Sequence, residues 1–158
     1  MKIDLYGANG EIQQTIGINR IDSTVTDGYD YAINNHQTGV EGYVEIIFKD
    51  LEWFEERAQP VFNSLLDAIS PDNELITEIT SFYPHLVPIH KRVPKNMTGK
   101  GIGSCVLDTI LMDLEQNDFL NFYVHNPQQR VYDMLLRRNF QELPVNEPHH
   151  NHLFKRAG

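Results

Sequence analysis

The chain has 158 residues, 41% hydrophobic and 22% charged, which fits one globular domain and excludes a disordered tail. Its single cysteine, Cys105, excludes a disulfide framework and a multi-cysteine metal centre. A formal charge of −9 argues against nucleic-acid or anionic-membrane partners, and no apolar run nears the roughly 18 residues of a membrane span.

The opening stretch MKIDLYGANGEIQQ lacks the apolar core of a signal peptide, so a cytoplasmic location is expected. Residues 1–48 read as β-rich. Alternating apolar positions predict strands over 2–6, 15–22, 29–34 and 42–48, separated by Ala-Asn-Gly, Thr-Asp-Gly and His-Gln-Thr-Gly turns. From 51 to 69 the period changes: Leu51, Phe54, Ala58, Phe62, Leu65, Leu66 and Ile69 recur at helical steps, with Pro60 dividing or kinking the run. A strand is predicted over 75–82, a turn at Tyr83-Pro84-His85, and a further strand over 86–93 whose Pro88 disfavours a central place. Then come a loop, a helix over 102 to about 116, a strand over 119–125, a helix over 128–138 and a strand start at 140–143. The last 13 residues show no strong pattern. Strand, loop, helix, strand, helix, strand is an α/β order.

Charge is unevenly spread. Residues 1–78 carry 15 acidic and 4 basic side chains, a balance of −11, whereas residues 79–158 carry 7 and 9. No acid lies between Glu78 and Asp108, while Lys91, Arg92, Lys95 and Lys100 all fall there, which suggests an anion site. The sharpest motif lies in the same stretch: Thr98-Gly99-Lys100-Gly101-Ile102-Gly103-Ser104, between a predicted strand and an amphipathic helix. Three glycines allow close ligand approach, and a helix start supplies unpaired N–H groups and a positive dipole end. No Gly-Lys precedes a Ser or Thr as a P-loop requires, and Ser104 stands where the dinucleotide fingerprint needs its last glycine. A turn that is glycine-rich only for tightness, or a loop for ATP or NAD, are the other readings of these residues.

From Ile89 to Phe140 the chain resembles the GNAT family of acyl-CoA-dependent N-acetyltransferases, whose signature is Arg/Gln-x-x-Gly-x-Gly/Ala after the fourth strand. Thr98 stands in place of the Arg or Gln, and Val93 matches the strand-end valine five residues upstream. The resemblance implies a mixed, mostly antiparallel α/β sheet with helices on both faces, splayed where acetyl-CoA enters. It implies that backbone groups of Lys91, Arg92 and Val93 bind the pantetheine arm. Thr98, Gly99, Lys100, Gly101, Ile102, Gly103 and Ser104 would hold the pyrophosphate, with Lys95 nearby. Asn126 resembles the family asparagine that contacts the cofactor, although a cap for the following helix is an equal reading.

Acetyl transfer needs a neutral amine and an acid for the departing thiolate. In the family a tyrosine in the helix after the fifth strand often supplies that acid. Here Leu135 occupies its place and Tyr132 lies one helical turn earlier, so Tyr132 is the candidate acid. His90 and Glu78 are the candidate bases. His149, His150 and His152 lack a carboxylate or cysteine at a supporting spacing, so they read as a mobile tail and no metal is expected. Cys105 reads as packed and inert, and Trp53 as core or cleft lining.

The whole chain is thus expected to form one GNAT-like domain, with 86–143 as the acetyl-CoA-binding core. Either the strand over 42–48 is the family's first and the earlier residues add a hairpin or a homodimer arm, or the early strands are the family sheet and the 51–69 helix is inserted. The expected partners are acetyl-CoA and an amine acceptor, a small molecule or a protein amine, with the acidic half favouring a cationic one. A non-catalytic acyl-CoA-binding or protein-interaction module is the alternative.

Overall fold

A computed structural model of the chain describes residues 1–6, 9–69, 73–86 and 101–157. The described residues form eight strands and four helices. The first four strands are β1 (Lys2–Tyr6), β2 (Ile12–Asp22), β3 (Gly28–Asn35) and β4 (Glu41–Lys49). Helices α1 (Leu51–Arg57) and α2 (Gln59–Ala68) follow, then β5 (Ile76–Leu86), α3 (Ile102–Gln116) and β6 (Asn121–His125). The chain continues through α4 (Gln129–Leu136), β7 (Gln141–Glu142) and β8 (His152–Arg156). One sheet runs in the order β1-β2-β3-β4-β5-β6-β8-β7, and only the β5–β6 pair is parallel. No helix among the described residues is long and apolar enough to cross a membrane.

Local chemistry accounts for the elements. In β2, β3 and β4 every second residue is buried: Ile16, Ile18, Tyr31, Ile33, Val44 and Ile46 face one core, while Asn19, Ala32, Asn34 and Tyr43 face solvent. That alternation marks antiparallel strands covered on one side. Asp50 caps α1, its side chain accepting from the Trp53 N–H at 2.9 Å. Pro60 divides the helical run and does not kink one helix: it sits in the first turn of α2, where its missing N–H costs no bond. Of the two readings of the N-terminal half, the structure takes the second. β1 to β5 form a continuous antiparallel meander, and α1–α2 are inserted between the adjacent strands β4 and β5. The strand over 42–48 is therefore the fourth of the sheet, neither its first nor preceded by a separate arm.

Two cores lie on the two faces. Ile102, Val106, Ile110 and Leu114 of α3, with Met134 and Leu135 of α4, pack with the β2–β4 isoleucines and with Phe122 and Val124. Leu51, Phe54, Val61 and Leu65 of α1–α2 pack on Ile76, Tyr123 and Phe154. Asp113 pins α3 to the sheet: its Oδ2 accepts from the Tyr31 hydroxyl at 2.6 Å and pairs with Arg20 at 3.0 Å. Burial and the Asp113 contact push the Tyr31 hydroxyl far above its ordinary pKa, so it donates permanently.

Two expectations are corrected. Tyr83, Pro84 and His85 form no turn; β5 runs through them to Leu86. The ladder to β4 slips there, between Tyr43↔Tyr83 and Glu41↔Leu86, and a bulge is where a strand tolerates proline. Nor do the terminal histidines form a mobile tail. Residues 152–156 are β8, inserted between β6 and β7, with His152 3% exposed. The strand predicted over 86–93 lies, beyond Leu86, outside the described residues.

Gly42 faces the irregular stretch of β5 at Pro84 with no room to spare. A Cβ there would overlap the Pro84 carbonyl carbon and oxygen, which are backbone atoms and cannot swing aside. Gly42→Ala is expected to lower stability by about 1–3 kcal/mol, read as a fall in the urea midpoint. An unchanged midpoint would contradict this packing.

Candidate active site

The sheet opens between β5 and β6. The two strands pair only at Thr77↔Phe122 and Glu78↔Tyr123. Directly beyond, β5 carries an extra residue: Glu45 faces Ser81 and Ile46 faces Ile79, leaving Thr80 unmatched. A bulge bends its strand and ends regular pairing. The Thr80 hydroxyl fixes it, donating to Glu45 at 2.6 Å from Oε1 and 3.2 Å from the backbone oxygen. Past this point β5 stays with β4 while β6 stays with β8.

The resulting cleft has about 580 Å³ of space, counting the part open to solvent, and is lined on the β5 side by Ile79, Thr80, Ser81, Phe82 and Tyr83. Val124 and His125 of β6 and the Asn126-Pro127-Gln128 turn form the other side, and Leu107, Val131 and Leu135 close it from the α3–α4 face. Its concave shape, with Thr80, Ser81, Tyr83, His125, Asn126 and Gln128 converging beside an apolar wall, suits a small-molecule or cofactor site.

Helix α3 starts beside this cleft. Gly101 caps it in the left-handed region, φ +73°, and makes no side-chain cap bond. Cys105 N–H gives the first helical bond, to the Gly101 carbonyl at 2.9 Å, so the amides of Ile102, Gly103 and Ser104 precede it. Amides in that position, with the dipole behind them, favour an anion. Gly103 lies against Phe82, Pro84 and Met134, all 3.5–4.0 Å from where its Cβ would stand. Arg138 holds the two helices together, bonding Asp108 at 2.6 and 3.1 Å, the Met134 carbonyl at 2.8 Å and the Ser104 carbonyl at 3.3 Å.

The residues expected from the sequence divide. Gly101, Ile102, Gly103 and Ser104 come together at the start of α3, and Asn126 lines the cleft. Asn126 does not cap α4. Its N–H donates to the Asn151 carbonyl at 2.6 Å and its Oδ1 accepts from the Asn151 N–H at 3.4 Å, while Gln128 occupies the cap position. His90, Lys91, Arg92, Val93, Thr98, Gly99 and Lys100 lie outside the described residues.

Tyr132 is not brought to the cleft. Its hydroxyl donates to Glu142 Oε1 at 2.7 Å, and that bond raises its pKa. The cleft instead receives Leu135, fully buried at the place of the family tyrosine. Glu78 is likewise turned away from the cleft wall, buried and paired with Lys49, whose ammonium lies 3.7 Å over the Trp53 ring. Sequence reasoning missed Thr80, Ser81 and Tyr83, because a bulge leaves no period in the sequence, and His125, whose place at the cleft depends on non-local pairing. His125 lines the cleft with a pKa lowered first by burial and then by His152.

This architecture matches that of known proteins. The arylalkylamine N-acetyltransferase 2 of Aedes aegypti superposes with a TM-score of 0.52 at 12% identity, over 82% of this chain and 73% of that one. The chain has the fold of a GNAT acetyltransferase. A polyamine N-acetyltransferase of Drosophila melanogaster gives 0.48 at 12% identity over 80% of this chain and 72% of its own. A GNAT family acetyltransferase of Elizabethkingia anophelis, with acetyl-CoA bound, gives 0.48 at 11% identity over 90% and 98%. No protein-family model matches the sequence, and no curated protein matches it. The first superposition carries the fold assignment.

The α3 cap sets a contrast between two glycines. Gly101→Val forces a branched residue into the left-handed region and is expected to cost about 1–2 kcal/mol, whereas Gly103→Ala meets only ordinary contacts and stays within about 0.5 kcal/mol. Thermal unfolding of the two variants checks the order.

Proposed function

We propose that the protein transfers an acetyl group from acetyl-CoA to a primary amine by direct attack within a ternary complex. The observation that carries this reading is the cleft opened by the Thr80 bulge beside the α3 amides, in a chain of GNAT fold. The cofactor's pyrophosphate meets the Ile102, Gly103 and Ser104 amides, with Thr98, Gly99, Lys100 and Gly101 completing the loop. Its pantetheine arm runs along the open β5 edge at Ser81 and Tyr83, with Asn126 opposite, and the resemblance adds backbone groups of Lys91, Arg92 and Val93 as partners. The amine nitrogen attacks the thioester carbonyl, a C–N bond forms as the C–S bond breaks, and the amine's proton balances the departing thiolate.

Tyr132 and Glu78 are committed to Glu142 and Lys49, so neither carries that proton. His90, which precedes the glycine loop in the sequence, is the base of this reading. The acidic first half favours a cationic acceptor such as a lysine side chain or a polyamine. The Aedes aegypti protein of similar fold is named for an amine acceptor, an arylalkylamine. One observation favours a second reading, a non-catalytic acyl-CoA-binding or protein-interaction module: a buried leucine stands where the family acid belongs.

Calorimetric titration with acetyl-CoA is expected to show saturable 1:1 binding, absent with ATP and NAD. CoA release in the presence of an amine panel then separates enzyme from module. His90→Gln should lower kcat/KM about 100-fold or more, as loss of a general base does, while Tyr132→Phe should leave it within a few-fold. Binding without CoA release from any amine would favour the module.

A further inference from the structure

A second cluster lies where β6 meets β8, on the side of the sheet that carries Tyr123. The register sets His125 directly opposite His152, and facing residues of an antiparallel pair share a side of the sheet. His150 precedes His152 by two residues, and its Nδ1 lies 3.0 Å from His125 Nε2. The turn before β8 brings in the carboxylate that spacing alone did not reveal. Glu147 Oε2 lies 2.7 Å from His152 Nε2, and its Oε1 lies 3.2 Å from His150 Nδ1. The rings of His125 and His152 stack with centroids 4.7 Å apart.

From the sequence these histidines read as a tail; in the fold they form a convergent donor set. One ligating atom each of His125, Glu147 and His152 lies within 4.8 Å of the other two. Metal–ligand bonds of about 2.0–2.2 Å place tetrahedral ligand atoms roughly 3.3–3.6 Å apart, so the donors must draw together. The His125 and His152 rings, stacked with their planes 18° apart, must turn out of the stack to aim a nitrogen each at one ion. His152 is buried and held from behind, its Nδ1 2.7 Å from the Tyr123 hydroxyl. Such an outer contact orients a ligating imidazole: without an ion, Nε2–H can donate to Glu147, and ion binding would move the ring proton to Nδ1 and free Nε2 to bind.

We propose that His125, Glu147 and His152 bind one divalent transition-metal ion of the zinc class, with His150 in reach of the fourth position. Imidazole and carboxylate donors suit such ions, whereas calcium and magnesium prefer all-oxygen shells. The cluster adjoins the cleft through His125 but does not depend on acetyl transfer.

The test uses the full chain without a polyhistidine tag, stripped with EDTA and titrated calorimetrically with zinc chloride. Visible absorption of added cobalt(II) reports the coordination geometry. The expected result is 1:1 zinc binding that Glu147→Gln and His125→Asn each weaken at least tenfold, with a tetrahedral cobalt spectrum that both variants lose. The carboxamide introduced by Glu147→Gln keeps a hydrogen bond to His152, and metal-free melting curves of both variants confirm that the fold persists. Absence of saturable zinc binding, or equal binding by a protein carrying both substitutions, would overturn the proposal and leave a hydrogen-bonded cluster. Calorimetry reads no CoA release, so this outcome and that of the acetyltransferase reading are independent.

Discussion

The candidate site depends on one interruption of a hydrogen-bond ladder. β5 and β6 hold each other for two residue pairs and then part, because the unmatched Thr80 bends β5 toward β4 and Glu45 anchors the bend. Had the ladder continued, Ile79 to Tyr83 would face a neighbouring strand and their edge would be spent on sheet bonds. Instead the sheet divides into a five-stranded leaf and a three-stranded leaf, joined at Thr77 and Glu78. A backbone edge left open in this way is costly unless a ligand, water or another strand pairs with it. The fold thus prepares a place for an extended, amide-bearing molecule.

The rest of the structure keeps the two leaves apart yet attached. Asp113 ties α3 to β2 and β3 of the larger leaf, Arg138 ties α4 to α3, and both helices also pack with Phe122 and Val124 of β6 in the smaller one. On the opposite face α1 and α2 pack across Ile76 of β5, Tyr123 of β6 and Phe154 of β8, spanning the joint itself. Inserting that pair between β4 and β5 leaves the meander intact, since β4 and β5 remain neighbours. The Lys49–Glu78 pair lies at this joint, beneath Trp53, where it gives the buried carboxylate its counter-charge.

Much of this was legible in the residues. Period-two runs located β2 to β4, and helical spacing gave α3 its bounds from Ile102 to Gln116. The glycine motif marked the start of α3 correctly. What escaped was whatever depends on non-local pairing. β8 buries both Leu153 and Phe154, so it shows no alternation, and a five-residue strand covered on both faces looks like any short apolar run. Pro84 signalled a turn because sequence carries no mark of the bulge that accommodates it. Tyr132 and Glu78 were plausible by spacing, but their partners, Glu142 and Lys49, lie in elements whose placement only the fold decides. His125 and Glu147 were invisible as a pair with His152 for the same reason.

The account stands on the cleft receiving acetyl-CoA along the open β5 edge, and amide hydrogen exchange reads that edge directly. Adding acetyl-CoA should slow exchange in peptides covering residues 79–83 and 102–104, and leave β1 and β2 unchanged. Protection confined to other segments, or none at saturating acetyl-CoA, would contradict it.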